Sequence, residues 1–215
     1  MKKNPPMIMA GALLMSMVVC CQHRSAVRDS DESIYRRPPA PAKIMLFENP
    51  KHMHETYSYP MSETQQAFYW KGQSAEWRLK LPTRGYSHAG FRFARAHNLE
   101  PQRNEYTLVF EISPPVMTRY LWIGLVDGDD LHPQLMTDVA LSNYVFSARG
   151  SGSREVKIPL KDFPDVGAPI YTDKPVENSE RMEFDWQDVR GIRFIHNGGR
   201  LPAREIIIHN LRFVR

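Results

Sequence analysis

Aromatic side chains set beside planar polar groups are the chemistry this sequence offers most often. Trp122 lies in residues 119–126 (RYLWIGLV), where Leu121, Ile123 and Leu125 alternate with Tyr120, Trp122 and Gly124. Period two sends the aliphatic set to one face of a strand and the aromatic set to the other. Arg92, Glu111, Tyr144 and Arg193 stand in neighbouring runs of the same kind and are expected on the Trp122 face. Tyr69 and Trp70 form a second aromatic group, in AFYWKG beside a turn. Such residues make noncovalent contacts. Ring faces take up apolar C–H surface, while guanidinium and carboxylate groups form paired hydrogen bonds with hydroxyls. The competing reading is structural: Trp122 and Tyr144 fill a thick core, and Tyr69 with Trp70 plugs one end of it. Trp77 alternates with Ala75 and Leu79 and reads as core, and Trp186 reads as packing against a sheet.

Reaction chemistry has fewer carriers. Cleaving a glycosidic bond takes two carboxylates about 5–9.5 Å apart. Glu111 with Asp127, or Glu76 with Glu111, are the available pairs, and no acidic cluster marks either. No G-x-S-x-G, H-E-x-x-H or P-loop motif is present. Asp127-Gly128-Asp129-Asp130 crowds three carboxylates into a turn that suits calcium or hydroxyls, but Asp-Gly is also a common hairpin signal. His52-x-His54 has a metal-site spacing without a clear third ligand. The expectation is a binding protein that is not an enzyme, with a small glycoside hydrolase or lyase as the less favoured alternative. No cofactor is required.

These candidates need a sheet to position them. From residue 43 onward the chain shows short alternating runs at 75–81, 89–95, 105–112, 119–126, 139–148, 155–160, 191–195 and 205–214, with a further strand expected over 43–48. Each is rich in β-branched or aromatic residues and bounded by Gly, Pro, Asn or Asp. No stretch sustains helical periodicity, although residues 184–189 suit one helical turn capped by Asp185. About nine strands in some 170 residues point to an all-β, antiparallel sandwich or barrel.

The N-terminal segment differs. Lys2 and Lys3 precede an uncharged run of 13 residues, 7–19, and then come Cys20 and Cys21, the only cysteines. Thirteen helical residues span roughly 20 Å, short of the ~30 Å hydrocarbon core. The run therefore reads as the apolar region of an export signal. It resembles a bacterial lipoprotein signal, in which a Cys after the apolar run is acylated. Cys20 is the expected acceptor and Cys21 the alternative. The resemblance implies membrane anchoring, and Gln22 in place of an Asp favours the outer membrane. Residues 21–42 are polar and include Pro38-Pro39-Ala40-Pro41, the composition of a disordered, flexible tether. Lys2 and Lys3 account for two of the net +4 charges, leaving too little for a nucleic-acid surface. The expected organisation is a signal over 1–20, a tether over 21–42 and one domain over 43–215.

Within that domain, residues 184–194 (FDWQDVRGIRF) run into the turn Asn197-Gly198-Gly199, and the last strand ends IHNLRF at 208–213. Upstream stand IPLKDF at 158–163 and IMLFE at 44–48. Together they resemble the jelly-roll carbohydrate-binding modules of the galactose-binding-like type. The resemblance implies an antiparallel jelly-roll β-sandwich and noncovalent glycan binding. Sandwiches of this shape also serve as protein-interaction domains, so an envelope-assembly role with a protein partner is the alternative. Many relatives hold a structural calcium between the opening Glu and an Asp of the last strand. Here Glu48 is present, and Asn210 stands where that Asp would be.

Overall fold

Alternating burial turns the expected runs into strands. The computed structural model describes residues 41–71, 74–115, 119–128, 134–145, 152–170 and 182–215, all within a unit spanning Ala40–Arg215. The expected signal, Cys20, Cys21 and nearly all of the tether lie outside the described residues, as do Asp129 and Asp130.

The strands are β1 (Lys43–Met45), β2 (Met53–Tyr59), β3 (Gln65–Lys71), β4 (Ser74–Lys80), β5 (Gly85–His97), β6 (Thr107–Ser113), β7 (Leu121–Asp127), β8 (Leu135–Ala140), β9 (Arg154–Pro159), β10 (Val166–Pro169), β11 (Met182–Glu183), β12 (Val189–Gly198) and β13 (Glu205–Val214). Helix among the described residues is limited to single 3-10 turns such as Pro50–His52 and Leu141–Asn143.

All pairings are antiparallel. One sheet runs β3-β4-β13-β6-β9, with β1 also on β13, and the other runs β11-β10-β8-β7-β12-β5-β2. The chain crosses between the sheets repeatedly, as from β4 to β5, β5 to β6 and β12 to β13, which makes the sandwich a jelly roll. Inward side chains fill the space between. Trp77 is fully buried and meets Phe91 at 5.1 Å and Phe194 at 5.3 Å, both edge-on, and stacks on Phe68 at 5.5 Å. Edge-on pairs of this kind add roughly 0.5–1.5 kcal/mol each beyond burial. Trp77 is thus core, as its alternation predicts.

Several boundaries differ from expectation. The opening strand stops at Met45, because Leu46 and Phe47 both turn into the core. The run expected over 139–148 is strand only to Ala140; there the chain turns, and the Tyr144 and Val145 amides both donate back to Leu141 O at 3.0 Å, which no extended chain can do. Residues 146–148 lie outside the described residues. β2, β3 and the edge pair β10–β11 went unread, because an edge strand such as MHETYSY carries few apolar residues. Residues 184–189 do turn, but not as the expected helical turn: the Asp185 side chain accepts from Gln187 N at 2.8 Å, and Trp186 packs inward.

Asp127 closes this end of the sheet. Its two oxygens accept from Leu135 N at 2.8 Å and Asp185 N at 2.6 Å. Burial raises its pKa, and those two bonds oppose the rise. The carboxylate is a structural staple between the ends of three segments.

Candidate functional site

Antiparallel partners share a face, so the register sorts the outward side chains of the seven-stranded sheet into rows across β2, β5, β12, β7 and β8. One row reads Tyr59, His88, Ile195, Trp122 and Ala140; the next reads Tyr57, Gly90, Arg193, Gly124 and Asp138; a third reads Glu55, Arg92, Gly191, Val126 and Met136. Trp122, Arg92 and Arg193 therefore share a face, as the sequence predicts. Trp122 is half-buried and outside the core, and its Nε1 donates to Arg119 O at 2.9 Å.

Glycine makes the middle row possible. Arg193 lies over Tyr57, with its guanidinium carbon 4.0 Å from the ring centroid. Gly90 stands between them in the row, and a Cβ there would lie 2.4 Å from Tyr57 Cε2 and 2.8 Å from Arg193 Cγ. The Tyr57 hydroxyl donates to Ile192 O at 3.2 Å. Burial raises the Tyr57 pKa, and Arg193 opposes the rise. A guanidinium on a desolvated ring contributes about 2 kcal/mol.

His88 is the hub of the aromatic group. It stacks on Tyr59 at 5.8 Å and meets Tyr86 at 5.9 Å and Tyr57 at 6.4 Å, both edge-on. Burial, then the charge on Arg193, lowers its pKa to about 4, so the imidazole is neutral at pH 7. Tyr86 sits one row beyond, opposite Asn197, and its pKa is raised by burial.

The remaining candidates lie elsewhere. Glu111 belongs to the other sheet, in an outward row with Tyr69, Glu76, His209 and Glu155. It accepts from Asn210 Nδ2 at 2.8 Å. Its run alternates correctly but is laid in the opposite layer, so it does not join Trp122. Nor does it pair with Asp127, which is buried in the other sheet with both oxygens engaged. Tyr144 follows the turn after β8 and donates to Asp162 Oδ2 at 3.0 Å, with its pKa pushed up to about 12 by burial and by that carboxylate.

Tyr69 and Trp70 do not form one platform, because successive residues of β3 point to opposite faces. Tyr69 is exposed under the Arg78 guanidinium, whereas Trp70 stacks on Phe68 and donates to Phe47 O at 2.9 Å. Glu48 and Asn210 do line one small cavity, with Met45, Phe47, Ala75 and Leu211. Together they offer three side-chain oxygens, fewer than the six to eight that calcium takes. No group of three or more His, Cys, Asp or Glu among the described residues could hold a metal.

Tyr57, Tyr59, Tyr86 and His88 escaped sequence reasoning. Their signal was present as Tyr-x-Tyr and Tyr-x-His pairs at period two, but β2 reads as polar and β5 begins four residues before the run expected from 89. The assembled face offers flat rings, two arginines and two carboxylates.

A family model described as carbohydrate binding domain 30 matches residues 45–215. Among solved structures, the chain is similar to a family 30 carbohydrate-binding module at 17% identity and TM-score 0.56, covering 80% of this chain and 98% of that one. It is similar to the family 30 module of a cellulosomal cellulase of Clostridium thermocellum at 16% identity and TM-score 0.57, covering 80% and 96%. A family 11 module from a cellulosomal cellulase of the same organism gives 12% identity and TM-score 0.50, covering 81% and 95%. At these identities the likeness to solved structures is one of fold. No curated protein matches.

Proposed function

The chain belongs to the carbohydrate binding domain 30 family, and from that membership we propose that the outer face of the seven-stranded sheet holds an oligosaccharide chain without cleaving it. The observation that carries this reading is the row structure of the face. Tyr59 and Trp122 stand in one row with two strands between them. At about 4.8 Å per strand they are about 14 Å apart, a span for several sugar rings rather than one. Their faces take the apolar sides of the rings. Arg193 and Arg92 donate to hydroxyls, and Asp138 and Glu55 accept from them. Burial holds both arginines in place before ligand arrives, which lowers the ordering cost of binding.

Affinity electrophoresis of the purified protein against a panel of soluble polysaccharides, with calcium and then with chelator, tests the reading. Saturable retardation by one glycan class is expected in both buffers. Trp122→Ala and Tyr59→Ala are each expected to weaken it about tenfold, about 1.4 kcal/mol. The two sites are far enough apart to add, so the double variant should lose about a hundredfold. A folded protein that no glycan retards would instead assign the face to a protein partner of the envelope. Product release from a polysaccharide, abolished by Glu111→Gln, would revive a hydrolase or lyase.

We also propose that the domain is exported and anchored to the outer membrane through an acylated Cys20, or Cys21. The short apolar run and the paired cysteines support this. Several acyl chains, at ~0.8 kcal/mol per buried CH₂, hold a protein firmly on a membrane. Labelling of cells with an alkynyl fatty acid is expected to mark the wild type and to fail in the Cys20→Ser/Cys21→Ser variant, which should leave the membrane fraction. Unchanged membrane fractionation of that variant would remove the anchor.

A further inference from the structure

A second site lies away from the row-bearing face, at the end of the sandwich where β5 bulges. β5 pairs with β12 as far as Arg92 opposite Gly191 and resumes at His97 opposite Val189. Residues 93–96 therefore stand opposite residue 190 alone. Beside this bulge, the end of β1 and the Pro50–His52 turn enclose a cavity of about 400 Å³, lined by Met45, Leu46, Lys51, His52, Arg95 and His97. Its polar lining is basic throughout: among the described residues no carboxylate lines it.

One hydrogen-bond chain fixes what His52 offers. Lys51 N donates to Asn49 Oδ1 at 2.9 Å, which sets the orientation of the Asn49 amide. Its Nδ2 then faces His52 Nε2 at 3.1 Å, and an amide nitrogen can only donate. Nε2 therefore accepts, and the ring proton resides on Nδ1. That Nδ1–H is buried and has no partner. Buried donors are almost always paired, and His52 lines the basic cavity, so a small turn of the ring would offer this orphan donor to an acceptor from outside the chain. His97 completes the wall, its ring set edge-on to Phe93 at 5.2 Å. Burial, and the neighbouring His52, make His97 harder to protonate than an ordinary histidine.

We propose that this cavity binds a tetrahedral oxyanion, sulfate or phosphate, free or as a monoester, held by Lys51, His52, Arg95 and His97. Two cations and two imidazole donors around one volume match the charge and the several acceptor oxygens of such a group. The site shares no residue with the glycan face, and it stands or falls independently of it.

The test is an NMR titration of the histidine rings in the full-length protein at pH 7 and constant ionic strength. Sodium sulfate is added first, then glucose 6-sulfate, with sodium chloride as the comparison. Saturable shifts of the His52 and His97 rings are expected with both sulfates. Lys51 and Arg95 are exposed, so Lys51→Ala/Arg95→Ala is expected to fold normally and to bind at least tenfold more weakly. Trp122→Ala should bind as the wild type does. Tighter binding of the ester identifies a substituent on a sugar as the natural ligand, and tighter binding of the inorganic ion identifies a free-ion site. Shifts that grow linearly and match those with chloride, or an affinity unchanged in the double variant, would overturn the proposal.

Discussion

Gly90→Ala is expected to destabilise the domain by about 3 kcal/mol and to remove most of its glycan binding. The new Cβ would lie 2.3 Å from Ile192 O, besides its contacts with Tyr57 and Arg193. Side chains can swing aside, but a backbone oxygen in a central ladder cannot. β5 is hydrogen-bonded to β2 on one side and β12 on the other, so neither strand can retreat without breaking the other's register. Any relief must lift Arg193 off Tyr57, which dismantles the middle row. For a domain of this size the loss corresponds to a melting point lower by about 6–12 °C. Gly124→Ala is the control: its Cβ meets Met136 Cγ at 2.7 Å and Sδ at 2.8 Å, on a side chain flexible enough to move, so a smaller loss is expected. A Gly90→Ala protein that melts within about 2 °C of the wild type would contradict this account of the face.

Acid is expected to unfold the domain well before its carboxylates are fully protonated. His88 binds its proton only at about 4 in the folded protein, against about 6.5 in an unfolded chain. The unfolded state thus takes up the proton first. The stability contributed by the neutral imidazole is complete above about pH 6.5 and is lost progressively as the pH falls towards 4. A shift of this size corresponds to about 3 kcal/mol. His97 and His196 are also held below their usual values by burial and push in the same direction. Urea unfolding measured at intervals from pH 7.5 to 4 is expected to show the fall, and His88→Phe, which keeps a ring against Tyr59, is expected to flatten it. Glycan retardation should fall only with the folded fraction over this interval, because His88 stays neutral in the folded protein until about pH 4. A stability curve with the same slope in wild type and His88→Phe would place the acid sensitivity elsewhere.

Local pattern was enough for much of the architecture. Alternation in residues 75–81, 119–126 and 205–214 marked strands and their buried faces, because period two reflects burial on one side of a sheet and needs no knowledge of the partner strand. The same alternation put Trp122 on the face away from Leu121, Ile123 and Leu125, and Arg92 and Arg193 on the outward faces of their own strands. The closing motif of residues 184–213 identified the jelly roll, and the family match over residues 45–215 agrees.

Layer assignment was not legible. Glu111 and Arg92 lie in equally regular strands, yet β6 and β5 belong to opposite sheets, and alternation within a strand carries no information about which sheet holds it. Pairing across about 135 residues decided the rest. The Tyr57 hydroxyl reaches the backbone at residue 192, and Arg193 reaches the Tyr57 ring across Gly90. The sequence by itself determined most of the central strands, their inward faces and the resemblance to jelly-roll carbohydrate-binding modules. Only the tertiary structure decided which outward faces meet, because that depends on the order of strands in each sheet, a long-range property that no local spacing encodes.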